Sequence, residues 1–223
     1  MCQVRTQFTR ELLALTNDLT LMCRLAHDAA ERVTAALGDA DLAAAYEAFA
    51  HDEQLQKMYS ACEARTVVLL ALQAPVARDL RHVVTAIQIA GELSRIGWLI
   101  SRVADHVYKY HPEPVAPQHL MDILTAMSRL AAHYTALAGE TVATGRESAT
   151  PESGSLAMDH LHRQLHTALA DPTHTRPSTE AAIDIAMVGN KLERCIDHTN
   201  RIDRLIRFLD TGIPPTAQPS DAE

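Results

Sequence analysis

The sequence predicts an all-α protein of six long helices arranged as two tandem three-helix bundles. No proline occurs before Pro75 or between Pro75 and Pro112, and the 223 residues include only eight glycines. Strands need frequent turns, so long intervals without these residues predict long helices. Only 4% of the residues are aromatic although 47% are hydrophobic, and aliphatic side chains suit the interior of a bundle. A linker with three prolines, residues 111–117, separates three predicted helices from three more.

Helix-breaking and capping residues place each helix in turn. Gly38 ends the first helix, and no proline or glycine interrupts the second. Pro75 suits the first position of the third helix, and Asp79 lies in its first turn, where the helix dipole favours an acid. The fourth follows the proline-rich linker, the fifth follows a loop containing Pro151, and Ser178 is the expected N-cap of the sixth. These signals place the six helices at residues 6–37, 41–72, 75–110, 118–143, 155–169 and 178–210.

The order of three helices, a linker and three more helices suggests a duplicated unit. When the sequence is aligned with itself at an offset of 99 residues, three identical residues of the two halves coincide. The apolar positions around them also align. The three pairs are Leu93 with Leu192, Arg95 with Arg194, and Arg102 with Arg201. We therefore expect a first repeat at residues 5–111, a second repeat at residues 117–212 and a disordered tail at residues 213–223.

Charge and cysteine content exclude several classes of protein. The net charge of −8 argues against nucleic-acid binding, which needs a basic stripe. The longest run without a charged residue, residues 66–77, has 12 residues and contains Pro75, so no membrane insertion is expected. Arg10 and Glu11 precede any apolar run, which excludes a signal peptide. Four cysteines without paired spacing suit a reducing compartment, and we expect a cytoplasmic protein.

One flank of the sixth predicted helix carries Glu193, Asp197 and Asn200, which share a face at spacings of four and three residues. Three oxygen-bearing side chains could offer hard ligands to a metal ion. The spacing alone favours a solvated flank, neutralised by the arginines and the histidine at neighbouring positions, because acids four residues apart are common on helix surfaces.

A second candidate metal site lies on the fifth predicted helix, where Asp159 is followed by His160, His162 and His166. Two histidines four residues apart could share a metal ion. The chain has twelve histidines, however, so such a pair arises readily by chance, and no acid follows in the pattern of a zinc hydrolase. Solvated histidines are the favoured interpretation.

The sequence gives little support for catalysis. It contains no glycine-rich phosphate loop, no Gly-x-Ser-x-Gly and no Cys-x-x-Cys. Cys62 and Cys195 sit among apolar neighbours and are expected in the core. No basic pocket for phosphate is evident. We therefore expect no enzymatic activity and no catalytic residue.

Two segments resemble a known family. Residues 69–81, Leu-Leu-Ala-Leu-Gln-Ala-Pro-Val-Ala-Arg-Asp-Leu-Arg, are similar to the Leu-Ala-x-Gln-x-Pro-Val-Ala-x-Asp-Leu-Arg signature of the PhoU family of phosphate-uptake regulators. Residues 192–198, Leu-Glu-Arg-Cys-Ile-Asp-His, resemble its Leu-Glu-Arg-Ile-Gly-Asp-His motif, and residues 91–98 are a degraded copy. With the first helix included, the resemblance covers residues 5–212.

The resemblance implies a PhoU-like fold of two homologous bundles and a cytoplasmic regulator that is not an enzyme. Members of the family couple a phosphate ABC transporter to a sensor histidine kinase and keep phosphate-starvation genes off when phosphate is plentiful. For this chain it implies a negative regulator, acting as a homodimer between the transporter's ATPase subunit and the kinase. The alternatives are a metal-binding accessory protein and a diverged paralogue that modulates phosphate transport without contacting the kinase.

The resemblance also implies metal ligands, since some members bind metal clusters through paired Glu/Asp-x-x-x-Asp motifs. In the second repeat Glu193 and Asp197 match in full, and on the fifth helix Asp159 matches while Ser155 replaces the first acid. We therefore expect that a divalent, iron or zinc cation could bind the second repeat.

In the first repeat the corresponding motifs are largely degraded. Asp52 matches, but Gln56 replaces the second acid, and Ser94 and Trp98 replace both acids of the third helix. Tryptophan has no ligand atom and its bulk would fill the site, so the first metal site is predicted to be lost. Trp98 itself either extends the core contact of the third helix or is exposed and anchors a partner.

Overall fold

The computed structural model describes residues 2–146, 151–171 and 177–218, and within these ranges the chain forms helices and no strand. This confirms the predicted all-α fold of six long helices. The helices are α1 (Cys2–Asp39), α2 (Leu42–Gln73), α3 (Ala77–Tyr110), α4 (Gln118–Thr144), α5 (Pro151–Ala170) and α6 (Thr179–Thr211).

Side-chain caps and a left-handed glycine set several helix ends. The Asp41 carboxylate caps α2 by accepting a hydrogen bond from the backbone N–H of Ala43 at 2.8 Å. Ser178 caps α6 as predicted, accepting from the N–H of Ala181 at 3.2 Å. Gly212 ends α6 at a φ of 75°, a conformation that glycine adopts without the strain a Cβ would cause.

Two prolines occupy positions that differ from the prediction. Pro75 is not the first residue of α3, because it lies in the turn formed by residues 74–76 and α3 begins at Ala77. Proline disfavours helical geometry in the residue before it, and Ala74 ends α2 at a φ of 40°. Pro151, predicted to lie in a loop, is instead the residue from which α5 is described, and proline is tolerated in the first turn of a helix.

Helices α1, α2 and α3 pack against one another as one three-helix unit, and α4, α5 and α6 pack against one another as a second. The units meet where α1 contacts α4 and where α3 contacts α6, so α2 and α5 lie outside this contact. The α1–α4 pair is antiparallel, because the hydroxyls of Thr34 and Ser128 lie 2.7 Å apart while the ring of His27 contacts the carbonyl of Ala132. That the two units arose by duplication stays a prediction.

The core is aliphatic, as the composition predicted, and α3 contributes much of it. Ile89, Leu93, Ile96 and Ile100 of α3 are all buried. Among the described residues α3 is also the one helix long and apolar enough to cross a membrane, but 61% of its most apolar stretch is buried inside the molecule. Its apolar character is therefore explained by its place in the core. The predicted core cysteines, Cys62 and Cys195, are buried free thiols.

Part of the predicted disordered tail folds back on the bundle. Pro215–Ala217 forms a short 3₁₀ helix. The side chain of Gln218 is buried and donates hydrogen bonds to the carbonyls of Arg204 in α6 and Ile213, at 3.1 and 3.0 Å. Residues 219–223 lie outside the described residues.

Candidate functional site

Helix α6 carries two polar faces of opposite charge. Glu193, Asp197 and Asn200 form the acidic face, which is directed toward α5. The basic face consists of Arg194, His198 and Arg201 and is directed toward α3. The two sets have the same spacing and differ by one residue, which corresponds to about 100° of rotation around the helix. One helix therefore supplies side chains to two separate sites.

On the acidic face, the carboxylate of Glu193 contacts the ring of a histidine of α5. The Nδ1 atom of His162 lies 2.8 Å from the Glu193 carboxylate, and its Nε2 atom lies 3.0 Å from the ring of His166. One turn further along the interface, the Asn200 amide donates a hydrogen bond to Ser155 at 2.8 Å. The acidic face is thus packed against α5 by direct polar contacts.

These contacts correct two expectations. The solvated interpretation of the α5 histidines is wrong for His162, whose side chain is mostly buried, although His160 and His166 are exposed. The neutralisation of Glu193 by neighbours on its own helix is also wrong, because His162 of α5 is its partner. The sequence showed the spacing of the histidines but not which helix they would face.

The remaining predicted ligands are less closely assembled. Asp159 is exposed on α5. Partial desolvation, together with the Glu193 charge, raises the pKa of Asp197 above its ordinary value. In the described part of the chain, no three side chains of His, Cys, Asp or Glu come together in a group able to hold a metal ion.

The degraded motif residues of the first unit form a closed hydrogen-bond network. The Gln56 amide donates to the Asp52 carboxylate at 2.8 Å and to the Ser94 carbonyl at 3.1 Å. The Ser94 hydroxyl donates back to the Gln56 oxygen at 2.7 Å. Trp98 is 40% exposed, which agrees with the exposed alternative rather than with a core contact. An amide therefore binds the one carboxylate left at this place.

A cleft of about 700 Å³ opens between α2, α3 and α6, beside this network. We call it the basic cleft, because arginines from both units line it. Its walls include Tyr59, Glu92, Arg95, Trp98, Arg194, His198 and Arg201. The expectation that no basic pocket exists is therefore wrong. The signal available in the sequence was the 99-residue shift, which pairs Arg95 with Arg194.

A further polar cluster joins the two units at the other end of the α3–α6 contact. Asp184 of α6 accepts hydrogen bonds from Lys109 at 2.7 Å and from the Tyr110 hydroxyl at 2.8 Å. Burial raises the pKa of Asp184, but these bonds together with the nearby charges of His106 and Lys109 outweigh it, so the pKa lies below its ordinary value. Nearby, burial lowers the pKa of Lys191, which lies 3.4 Å from His106.

The chain is similar to a group of bacterial proteins along nearly its whole length. It is 35% identical over 214 residues to the phosphate-specific transport system accessory protein PhoU homolog 2 of Mycobacterium tuberculosis, covering 95% of this chain and 100% of that protein. It is also 35% identical over 214 residues to PhoU homolog 1 of Mycobacterium leprae, covering 95% of this chain and 96% of that protein. The family profile described as the PhoU domain matches residues 19–107. The chain belongs to the PhoU family.

Crystal structures of PhoU proteins share the fold of this family member. The phosphate transport system regulatory protein PhoU from Streptococcus pneumoniae superimposes with a TM-score of 0.78 at 22% identity, covering 92% of this chain and 97% of that chain. PhoU from Pseudomonas aeruginosa gives a TM-score of 0.71 at 24% identity, covering 92% and 99%. These similarities confirm the predicted PhoU-like fold.

The PhoU signature segment, residues 69–81, forms the connection from α2 to α3. Its apolar side chains point largely to solvent, since Leu72 and Val76 are each 74% exposed and Leu80 is also exposed. Apolar side chains grouped on a surface mark contacts with other molecules. The segment that best resembles the family signature thus lies at an exposed end of the first unit rather than at the polar sites of α6.

Proposed function

We propose that this protein is an accessory regulator of a phosphate-specific transport system and represses phosphate uptake and phosphate-starvation signalling. The observation that carries the proposal is the match to relatives named as accessory proteins of such systems, which extends over 95% of this chain and 100% of the M. tuberculosis homolog 2. Its action is that of a binding protein in the cytoplasm rather than an enzyme.

We further propose that it is an adaptor whose partners are the ATPase subunit of the transporter and a sensor histidine kinase. The exposed apolar side chains of Leu72, Val76 and Leu80 support this, because they offer a surface for another protein at the signature segment. A homodimer would present two such surfaces. The alternative of a diverged paralogue predicts contact with the transporter but not with the kinase.

The test is expression of a phosphate-regulated reporter in a strain lacking the gene. Deletion should raise expression at high phosphate, and the wild-type gene should restore repression. Leu72→Asp with Val76→Asp should fail to restore it and should lose the ATPase subunit or the kinase in a pull-down. The matched control is Leu156→Asp on α5, which changes an equally exposed leucine elsewhere. A deletion without effect on the reporter would contradict the proposed function.

We also propose that the second unit binds a divalent, iron or zinc cation through Glu193, Asp197 and Asp159, although among the described residues these side chains do not form a ligand group without the ion. The proximity of His162 to Glu193 supports this, because imidazole adds a nitrogen donor suited to zinc and iron. Calorimetric titration with Zn²⁺, Fe²⁺ and Mn²⁺ tests it, with Glu193→Ala/Asp197→Ala as the variant and Asp52→Ala as the control in the first unit. Wild-type binding no tighter than that of the double variant would rule the site out.

A further inference from the structure

The basic cleft has the size of a site for a small organic molecule. Its volume of about 700 Å³ lies within the range of about 300–1,000 Å³ typical of ligand pockets. Helices of both units contribute, since Tyr59 comes from α2, Arg95 and Trp98 from α3, and Arg194 and Arg201 from α6. The cleft therefore exists only when the two units are packed together.

The charge of the cleft is positive although the whole chain carries a net charge of −8. Three arginines line it, against one acid, Glu92. The Glu92 carboxylate is already engaged, because it lies 2.5 Å from His198 and 3.7 Å from Arg201. In the part of the chain that the structure describes, neither Arg95 nor Arg194 has an acidic partner within ion-pair distance. Two guanidinium groups therefore remain available to an anion.

Arginine is well suited to one class of anion. Its planar guanidinium presents parallel N–H groups that match two oxygens of a phosphate, and such charged hydrogen bonds are stronger than neutral ones. Arg95 and Arg194 occupy equivalent positions under the 99-residue shift, and they line the same cleft from α3 and α6. They could therefore hold one phosphate chain from two sides.

The cleft also offers aromatic surface next to these charges. Trp98 is 40% exposed, and the guanidinium of Arg102 lies over one face of its ring, 5.7 Å from the centre, so a base would stack on the other face. Tyr59 lines the cleft as well. Planar bases stack on exposed tryptophan and tyrosine rings. Gln56 and Ser94, which are uncharged and hydrogen-bonded to each other, also line the cleft.

We propose that the basic cleft binds a nucleotide, with the phosphates on Arg95 and Arg194 and the base stacked on Trp98. A lone inorganic phosphate would leave most of the cleft and the aromatic surface unused, and an acidic protein segment would not require a stacking ring. The proposal stands apart from the proposed function and from the cation of the second unit, because it rests on residues of the basic face of α6 and not on those of the acidic face.

The protein contains its own probe, because Trp98 is its only tryptophan. Its fluorescence, excited at a wavelength that adenine does not absorb, is titrated with ATP, ADP and AMP in buffer without divalent cations. Adenosine, tripolyphosphate and poly-glutamate are the comparison ligands. We expect saturable binding of ATP or ADP. Adenosine and tripolyphosphate should each bind at least about tenfold more weakly, because adenosine lacks the phosphates and tripolyphosphate lacks the base.

Variants assign the binding to the cleft. Arg95→Gln with Arg194→Gln should weaken nucleotide binding by at least about tenfold. Arg129→Gln, which removes an exposed arginine of α4, should leave it unchanged. Thermal unfolding of each variant verifies that it is folded, and calorimetry of Trp98→Ala, expected to bind more weakly, tests stacking independently of the fluorescence.

Four results would overturn the proposal. They are the absence of saturable nucleotide binding at millimolar concentration, tripolyphosphate binding as tight as ATP, poly-glutamate binding as tight as ATP, and unchanged nucleotide binding by the double arginine variant. The second would indicate an unspecific anion site, and the third a surface for acidic proteins. None of these results bears on repression of the phosphate-regulated reporter, so the two proposals fail separately.

Discussion

Gly189 of α6 makes room for the α5 side chains that complete the acidic face. A Cβ at this position would lie 2.5 Å from the Cδ2 atom of Leu165 and 3.8 Å from the ring of His162. Leu165 is fully buried, so it cannot simply turn toward solvent. Alanine at position 189 would therefore force α5 away from α6 or push Leu165 out of its preferred rotamer.

Two opposing effects decide the stability of Gly189→Ala. In a helix interior, alanine stabilises the folded state by about 1 kcal/mol relative to glycine. Inserting a methyl group into a packed core costs about 1–3 kcal/mol. We expect a net loss of about 1 kcal/mol, which lowers the Tm by about 2–4 °C in a chain of this length. Differential scanning calorimetry and urea unfolding measure both quantities.

Gly91→Ala is the matched control, because Gly91 lies inside α3 and an added Cβ would meet Tyr59 at an ordinary contact distance of 3.7 Å. Gly91→Ala should raise the Tm by about 2–4 °C, because the higher helix propensity of alanine is not offset by a steric clash. Adding Leu165→Ala to Gly189→Ala should give a protein more stable than Leu165→Ala alone, because the new methyl occupies part of the space vacated. If Gly189→Ala raises the Tm as Gly91→Ala does, the close packing of α5 on α6 is refuted.

Three further predictions concern exposure, thiol reactivity and pH. Iodide should quench the fluorescence of Trp98 more strongly than caesium does, because the ring is 40% exposed beside positive charge; equal quenching would contradict the positive potential of the cleft. Burial raises the pKa of Cys23 and of Cys195 to about 12, so in a Cys2→Ser variant neither thiol should react quickly with Ellman's reagent at pH 8 until the protein is unfolded; fast reaction of either in the native state would show that it is not buried. Hydrogen bonds from α3 lower the pKa of Asp184 despite the opposing effect of burial, so Asp184 stabilises the fold above its unfolded pKa and loses this effect as the pH falls through its folded pKa. The difference in unfolding free energy between wild type and Asp184→Asn should accordingly be larger at pH 7 than at pH 3, and a difference independent of pH would refute the assignment.

The helices could be predicted from the sequence because they depend on local signals. Ser178 caps α6 with its own side chain, and Gly212 ends it, without help from distant residues. The prediction failed at Pro151, since a proline fits a loop and the first residue of a helix equally well by its local geometry. It failed also at the tail, where Gln218 is held by the Arg204 carbonyl of α6, a tertiary contact.

The polar sites could be predicted only in part. Helical periodicity placed Glu193, Asp197 and Asn200 on one face, and this holds. It could not show that His162 lies opposite Glu193, because the register between two helices depends on how their side chains pack. The basic cleft was missed for the same reason, since Arg95 and Arg194 are far apart in the sequence and meet only where α3 contacts α6.

Because the two polar faces of α6 are offset by one residue, a change in the length of this helix would disturb both of them. Inserting a single residue ahead of Glu193 would turn every following side chain by about 100°. Asp197 would then take the place of His198 opposite Glu92, where like charges repel, and the neutral Asn200 would take the place of Arg201. A deletion would turn them the opposite way and bring Arg194 to the place of Glu193 opposite His162, so either change in length would remove the charges that each face presents.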